Sequence, residues 1–121
     1  MLTDPDPFND IREGVRAVCA EFPDEYHRKI DHDRTYPEAF VAALTKAGWM
    51  AALIPEEYGG SGLSLTAASV IMEEINRAGG NSGACHGQMY NMNTLIRHGS
   101  EEQRQTYLPK IANGELRLQS M

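Results

Sequence analysis

The sequence GGSG at positions 59–62 stands between an acidic segment and an apolar run, where a phosphate-binding loop could lie. A Walker-type loop needs Lys and then Ser or Thr after its last glycine, so that amides, ammonium and hydroxyl converge on phosphate. Here the last glycine is followed by Leu63. A dinucleotide-binding turn needs another glycine at the position of Leu65, and Glu56 and Glu57 would repel a phosphate. We therefore predict a turn between two helices, where glycine permits positive φ.

Other patterns typical of catalytic or metal sites are missing from the sequence. His27 and His32 are five residues apart, which is not the spacing of an HExxH zinc motif. There is no GxSxG motif, and the two cysteines, Cys19 and Cys85, form no CxxC pair. Widely separated cysteines of this kind favour two reduced, buried thiols. We predict no catalytic residue and no metal site in this chain.

The stretch from residue 78 to residue 96 contains no Asp, Glu, Lys or Arg. Because charged residues are rarely buried, this predicts the most buried helix of the domain, although its many polar residues exclude a membrane span. One helical stripe indicates core packing: Cys85, Met89, Met92 and Ile96. The neighbouring stripe is polar but uncharged, which predicts the wall of a pocket for a neutral or amphipathic ligand: Ser82, His86, Tyr90 and Asn93.

Two glycines, Gly83 and Gly87, lie beside the polar stripe. A glycine inside a helix costs about 0.5–1 kcal/mol relative to alanine. The pair therefore indicates that a second helix or a ligand comes close to the backbone. Tight helix packing, with His86 hydrogen-bonded inside the protein, is the alternative to a binding site.

The chain of 121 residues carries a net charge of −6 and has a pI of about 5.1. An acidic domain of this size argues against a nucleic-acid partner and against docking on an anionic membrane. The first ten residues show no basic segment followed by an apolar core, so we expect no signal peptide and a cytoplasmic location.

Helical periodicity recurs along the chain and predicts an all-α, orthogonal domain of five or six helices. The first helix should begin near Pro7 with Asp6 as its cap. Another should begin at Pro37, with inward side chains from Phe40, Val41 and Leu44, and should end at Gly48. A short helix is expected between these two, with Tyr26 and Ile30 inward.

Three further helices are expected between the glycine loop and Gly114. The first has a Glu73–Arg77 pair on its wet face, and adjacent carboxylates such as Glu73 and Glu74 should be solvated. The second runs from Asn81 or Ser82 to about His98. The third begins at Ser100 with a capping box to Gln103, and Pro109 should kink or terminate it. The tail "ELRLQSM" favours the start of a strand without a partner in the chain, so we expect the natural polypeptide to continue.

Two motifs in residues 54–115 resemble the acyl-CoA dehydrogenase family. "LIPEEYGGSGLSLTAASVIMEEINRAGG" is similar to the turn and the Glu-Glu helix of the family's N-terminal domain. "HGSEEQRQTYLPKIANGE" is similar to the family's Gly-x-Glu-Glu-Gln … Tyr-Leu-Pro-Lys-Leu-Ala-x-Gly-Glu segment, in the right order and at the right spacing. The resemblance implies that residues 1–115 are the helical N-terminal domain and that residues 116–121 start a middle β domain.

The resemblance also implies an activity, namely α,β-dehydrogenation of an acyl-CoA thioester with hydride transfer to FAD. In the family, FAD is bound mainly by the middle and C-terminal domains, and the catalytic glutamate belongs to the C-terminal bundle. The chain alone is therefore expected to be inactive. The full protein is expected to be a dimer or tetramer and to pass electrons to an electron-transfer flavoprotein.

The resemblance assigns part of the family's acyl pocket to this chain. The family's acyl-lining helix falls on Ser82 to Asn93, which implies substrate-binding roles for Ser82, Gly83, His86, Tyr90 and Asn93. His86 and Tyr90 depart from a mostly small or apolar lining, which favours a short, branched, aromatic or oxygenated acyl group.

Two alternatives to a dehydrogenase domain stay open. One is a domain of a related acyl-CoA oxidase or flavin monooxygenase, and the other is a stand-alone, non-catalytic helical module. We also expect that the isolated domain exposes apolar surface around Met89, Met92 and Tyr90.

Overall fold

The structure is a computed structural model that describes residues 6–117, and within them it contains six α-helices and no strand. The prediction of an all-α domain is therefore confirmed. The helices are α1 (Asn9–Cys19), α2 (Asp24–Asp33), α3 (Glu38–Lys46), α4 (Leu65–Arg77), α5 (Ser82–His98) and α6 (Glu101–Ala112). Two short 3₁₀ turns, Trp49–Ala51 and Glu56–Tyr58, lie between α3 and α4.

Side-chain caps fix where the last three helices begin. The Ser64 hydroxyl accepts the Ala67 amide at 3.1 Å at the start of α4. The Asn81 carboxamide accepts the Gly83 amide at 2.9 Å before α5. At α6, Ser100 and Gln103 exchange the two hydrogen bonds of a capping box, at 3.1 and 2.9 Å. The start sites predicted for α5 and α6 are confirmed, because a local hydrogen bond to an unpaired amide determines each of them.

The core lies where α1, α3, α4, α5 and α6 meet. Its largest fully buried apolar side chains come from every one of these helices and from the segment 49–58 between α3 and α4: Val15, Phe40, Val41, Leu44, Met50, Ile54, Ile71, Ile75, Met92, Leu108 and Ile111. α1 packs along α4, and α5 packs on both α4 and α6. α2 has no buried residue, and its half-buried Tyr26 packs against the core, as predicted. Ile30 is also half-buried, but it is not part of the core packing.

Three local predictions need correction. α1 begins at Asn9, two residues after Pro7, although Asp6 caps the turn before it by accepting the Phe8 amide at 2.9 Å. α6 runs through Pro109 and ends at Ala112, so the helix does not terminate at Pro109, and a kink there stays a prediction.

The third correction concerns Glu73 and Glu74 on α4, which were predicted to be solvated. Glu73 contacts Arg12 at 2.8 Å, which replaces the predicted pair with Arg77. Its neighbour Glu74 is only 1% exposed and is bound by two arginines of α1. Periodicity within one helix could not show this, because the arginines lie about 60 residues earlier in the chain.

α5 is not the most buried helix, contrary to the prediction. Five of its 17 residues are buried, compared with six of the 13 residues of α4. Met92 is fully buried, but Tyr90 is 37% exposed. The lack of charge therefore has two causes: one face of α5 packs in the core, and another borders an uncharged groove at the surface.

The end of α6 is closed by the Leu116 amide, which donates to the Lys110 carbonyl at 3.0 Å. Arg117 pairs with Glu38 of α3 and lies over the Tyr36 ring, 5.6 Å from its centroid. The strand predicted at residues 116–121 falls mostly on residues 118–121, outside the described residues, and it stays a prediction.

Candidate functional site

The loop at residues 59–62 forms a closed turn. Gly59 and Gly62 have φ values of +92° and +60°, which glycine adopts without strain. The five consecutive amides of residues 59–63 all donate to backbone carbonyls of residues 51–56, at 2.7–3.2 Å. A phosphate-binding loop must point free amides at its ligand. The prediction of a turn between helices is therefore confirmed.

A surface groove of about 480 Å³ lies between α4 and α5. The structure brings all five residues predicted for the acyl pocket to this groove: Ser82, Gly83, His86, Tyr90 and Asn93. Met89 joins them from the same helix. The short connection 78–81 places the end of α4 beside the start of α5, so that the groove is built by one helical hairpin.

Sequence reasoning missed the opposite wall of the groove. This wall is supplied by α4 and by the segment before it: Leu53, Leu65, Ala68, Ser69, Met72 and Asn76. The α4 members follow helical spacing, which is the signal that could have found them. Ala68 and Met72 also pack in or against the core, and helical spacing alone does not distinguish a core stripe from a groove that borders the core.

The groove combines an apolar floor with polar edges and contains no Asp, Glu, Lys or Arg. The rings of His86 and Tyr90 pack edge to face, with centroids 5.0 Å apart and an interplanar angle of 60°. Leu65 at the rim is 63% exposed. Such a surface suits an uncharged ligand that has both apolar and hydrogen-bonding parts.

The prediction of an exposed apolar patch around Met89, Met92 and Tyr90 is wrong for two of these three residues. Met89 is 5% exposed and Met92 is fully buried. Both methionines pack within the core, and only the polar-ended Tyr90 reaches the surface. Gly83 also has a local role, because a Cβ there would lie 3.0 Å from Oδ1 of the capping Asn81.

Other parts of the described chain offer less for chemistry. A cavity of about 550 Å³ between α3 and the end of α6 is more polar, and Lys46 and Arg117 line it. Both cysteines are buried and unpaired, and burial raises the pKa of Cys85 to about 12, so this thiol is protonated at neutral pH. Among residues 6–117, no group of three His, Cys, Asp or Glu side chains could hold a metal ion.

None of the helices in the described residues is both long enough and apolar enough to cross a membrane.

Comparison with known proteins identifies relatives whose matches cover almost the whole of this chain. The family model for the acyl-CoA dehydrogenase N-terminal domain matches residues 6–115. The mitochondrial isovaleryl-CoA dehydrogenase of Solanum tuberosum is 34% identical over 116 residues, covering 89% of this chain and 28% of that protein. A probable acyl-CoA dehydrogenase, fadE25, of Mycobacterium leprae is 31% identical over 110 residues, covering 89% and 28%. The chain thus spans less than a third of the length of these relatives.

A solved structure shares the fold. A chain in the structure described as the electron transferring flavoprotein of Acidaminococcus fermentans superposes with a TM-score of 0.77 at 24% identity. The match covers 94% of this chain and 31% of that one. Together with the family match over residues 6–115, these findings show that the chain belongs to the acyl-CoA dehydrogenase family and carries its N-terminal helical domain.

Proposed function

We propose that the chain is the N-terminal domain of an FAD-dependent acyl-CoA dehydrogenase and that the α4–α5 groove forms part of its acyl pocket. The observation that carries the proposal is that all five residues expected to contact the acyl group line one uncharged, partly apolar groove. This chain would bind and orient the acyl group, and its apolar floor around Met72 and Met89 would keep water away from that group.

FAD supplies the hydride acceptor in such an enzyme. The glycine loop of this chain does not fit the cofactor's diphosphate, since its amides already donate to backbone carbonyls. We therefore assign no FAD contact to this loop and expect the cofactor to be held mainly by other parts of the complete protein.

We further propose a short or branched acyl group as the substrate. Several relatives are named isovaleryl-CoA dehydrogenases, and that acyl group is both short and branched. The bulky pair His86–Tyr90 narrows the groove and disfavours a long straight chain. Transfer of electrons to an electron-transfer flavoprotein, a dimeric or tetrameric assembly and a cytoplasmic location stay predictions.

A groove-filling substitution in the complete protein tests the proposal. Ser69 is exposed and lines the groove, so Ser69→Trp fills it without disturbing the core. Thr66→Trp is the matched control, because Thr66 is also exposed on α4 but does not line the groove. We expect Ser69→Trp to lower kcat/KM for isovaleryl-CoA at least tenfold while the flavin content stays unchanged.

The measurements are flavin absorbance after desalting, bleaching of the flavin by acyl-CoA, and kcat/KM. If Ser69→Trp kept full activity, the groove would not be part of the acyl pocket. If the unmodified protein held no flavin, or if no acyl-CoA bleached it, the assignment as an acyl-CoA dehydrogenase would itself be wrong.

A further inference from the structure

The connection between α4 and α5, residues 78–81, is closed by backbone hydrogen bonds to the end of α4. The Gly79 amide donates to the Asn76 carbonyl and the Gly80 amide donates to the Ile75 carbonyl, both at 3.0 Å. Gly79 adopts a φ of +87°, which is typical of a glycine that ends a helix. These bonds fix the place where the chain leaves α4.

Gly80 is buried and lies directly against the core. A Cβ at this position would be 3.0 Å from two ring carbons of Phe40 and 3.1 Å from the Cγ2 methyl of Ile75. Carbon atoms pack favourably at about 3.5–4.0 Å. The connection can therefore lie this close to α3 and α4 only because residue 80 has no side chain.

Phe40 has little room to move away from Gly80. Its side chain is fully buried, and the rings of Phe22 and His27 pack edge to face against it, with centroids 5.2 and 5.1 Å away. The Phe40 amide also donates to the Tyr26 hydroxyl at 3.3 Å. Because protein interiors are densely packed, a displaced ring would press on these neighbours. An added methyl group at Gly80 should therefore displace the connection and not Phe40.

Groove residues follow Gly80 almost immediately in the chain. Asn81 caps α5 by accepting the Gly83 amide at 2.9 Å, and Ser82 and Gly83, the first two residues of α5, line the groove. His86 lines it one turn further along the same continuous helix. A displacement of the connection would thus move this wall of the groove relative to the wall that α4 supplies.

We propose that Gly80 is a positioning residue of the acyl pocket: it lets the α4–α5 connection lie directly on Phe40, and this contact sets the distance between the two walls of the groove. Neither Gly80 nor Phe40 lines the groove, so both act through the residues that do. The inference rests on the proposed function, because it takes the groove to be the acyl pocket of a dehydrogenase.

The test measures, on the complete flavoprotein, the ratio of kcat/KM for isovaleryl-CoA to kcat/KM for butyryl-CoA. The two acyl groups have the same main chain and differ by one methyl branch, so the ratio reports how well the branch fits. Loss of folded protein lowers both rates equally and leaves the ratio unchanged, whereas a displaced wall changes it. Gly80→Ala should change the ratio about three- to tenfold, since a misplacement of about 1 Å can cost about 100-fold in rate.

Gly79→Ala is the matched control, because it adds the same methyl group to the same connection. Its Cβ would lie 3.3 Å from Oδ1 of Asp24, which is an exposed side chain and can move aside. The positive φ of residue 79 should lower stability, but nothing pushes the connection away from the core. The ratio should keep its wild-type value.

Phe40→Leu removes the ring atoms nearest to Gly80 and tests the same contact from the other side. It should change the ratio on its own, which keeps the inference testable if Gly80→Ala folds poorly. In the double variant Gly80→Ala/Phe40→Leu, the new methyl group can occupy the space that the ring leaves. Because the two changes compensate, the ratio should return to within about twofold of the unmodified protein.

A wild-type ratio in either single variant, Gly80→Ala or Phe40→Leu, would overturn this inference and leave the proposed function intact. An equal change in Gly79→Ala, or a double variant whose ratio stays altered, would overturn it as well. If no acyl-CoA bleached the flavin of the unmodified protein, the proposed function would fail and the inference would fail with it.

Discussion

The buried carboxylate of Glu74 joins α4 to α1. Its two oxygens accept hydrogen bonds from Nε and Nη2 of Arg16 at 2.9 and 2.8 Å, and Arg12 adds a third contact at 3.3 Å. The hydrogen bonds from Arg16 are the main reason that the pKa of Glu74 lies below its usual range, and they outweigh the effect of burial. A paired arrangement of this kind fixes how the two helices face each other.

Glu74→Gln should destabilise the domain by about 1–3 kcal/mol near neutral pH, because it removes charge-assisted hydrogen bonds and leaves Arg16 poorly paired. The control is Glu73→Gln, which makes the same chemical change at an adjacent, 59% exposed side chain and should have a much smaller effect. Urea unfolding of the purified chain measures both. Equal losses in the two variants would contradict the importance of burial.

The lowered pKa of Glu74 also predicts a pH dependence. The folded state holds the carboxylate charged to lower pH than the unfolded state does, so the stabilisation is present above the unfolded-state pKa. It is lost as pH falls through the folded-state pKa. The free energy of unfolding should therefore decrease less steeply with acidification in Glu74→Gln than in the unmodified chain. Parallel acid profiles for the two proteins would contradict this.

Arg34 is the one non-glycine residue with positive φ in the described chain, at 54°. It ends α2 in a left-handed conformation, where most residues are strained and glycine is not. Arg34→Gly should raise the free energy of unfolding by about 0.5–1 kcal/mol, after allowing for the flexibility of glycine.

Arg28→Gly is the matched control for Arg34→Gly. Arg28 is exposed inside α2, where the same substitution should lower stability by about 0.5–1 kcal/mol. Thermal unfolding of both variants measures the difference, and a shift in the same direction would show that positive φ is not the cause.

At the scale of elements, the turn at residues 59–62 determines how the chain passes from α3 to α4. Ser61, Gly62 and Leu63 bond back to Ala51, Ile54 and Ala52, which lie among the most buried residues. The buried Tyr58 hydroxyl donates to Glu101 at 2.7 Å and so ties the turn to the start of α6. The glycines serve this close backbone packing and not an anion.

Gly60→Ala should destabilise the domain severely. A Cβ at this position would lie 2.0 Å from the Ile54 carbonyl oxygen, and backbone cannot move aside as a flexible side chain can. The loss should exceed the roughly 1–3 kcal/mol typical of overpacking. Gly59→Ala is the control: its Cβ would have an ordinary contact of 3.8 Å, so only the positive φ costs about 1–2 kcal/mol. Circular dichroism during denaturation should separate the two variants.

At the scale of the whole molecule, Tyr90 should tune acyl selectivity in the complete protein. Tyr90→Ala empties space beside His86, and one methylene in a hydrophobic pocket changes binding by about 1–3 kcal/mol. The preferred acyl length should increase while the flavin content is unchanged. If the profile of kcat/KM against acyl chain length were unaltered, Tyr90 would have only a role in packing.

The isolated chain should bind no FAD and oxidise no acyl-CoA, because the amides of its glycine loop already donate to backbone carbonyls and are not free to bind the diphosphate. The measurement is flavin absorbance after incubation with FAD and desalting, followed by addition of isovaleryl-CoA. The complete protein is the positive control. A yellow, active preparation of residues 1–121 would contradict the assignment of the chain as one domain of a larger enzyme.

The sequence by itself determined the all-α class, the start sites of α5 and α6, and the family. These depend on contacts within a few residues, such as the Ser100–Gln103 box, or on motifs that are contiguous in the chain. It also placed Ser82, His86, Tyr90 and Asn93 on one face of α5, because helical geometry fixes which residues share a face.

Only the tertiary structure decided what each face meets. Ser69, Met72 and Asn76 were not expected to line a site, because their partners across the groove belong to α5. Glu74 was expected in solvent and is buried, because its partners Arg12 and Arg16 lie about 60 residues away. Periodicity reports which side chains lie together on one helix, whereas burial and pairing depend on which other helix packs there, and that is a property of the whole fold.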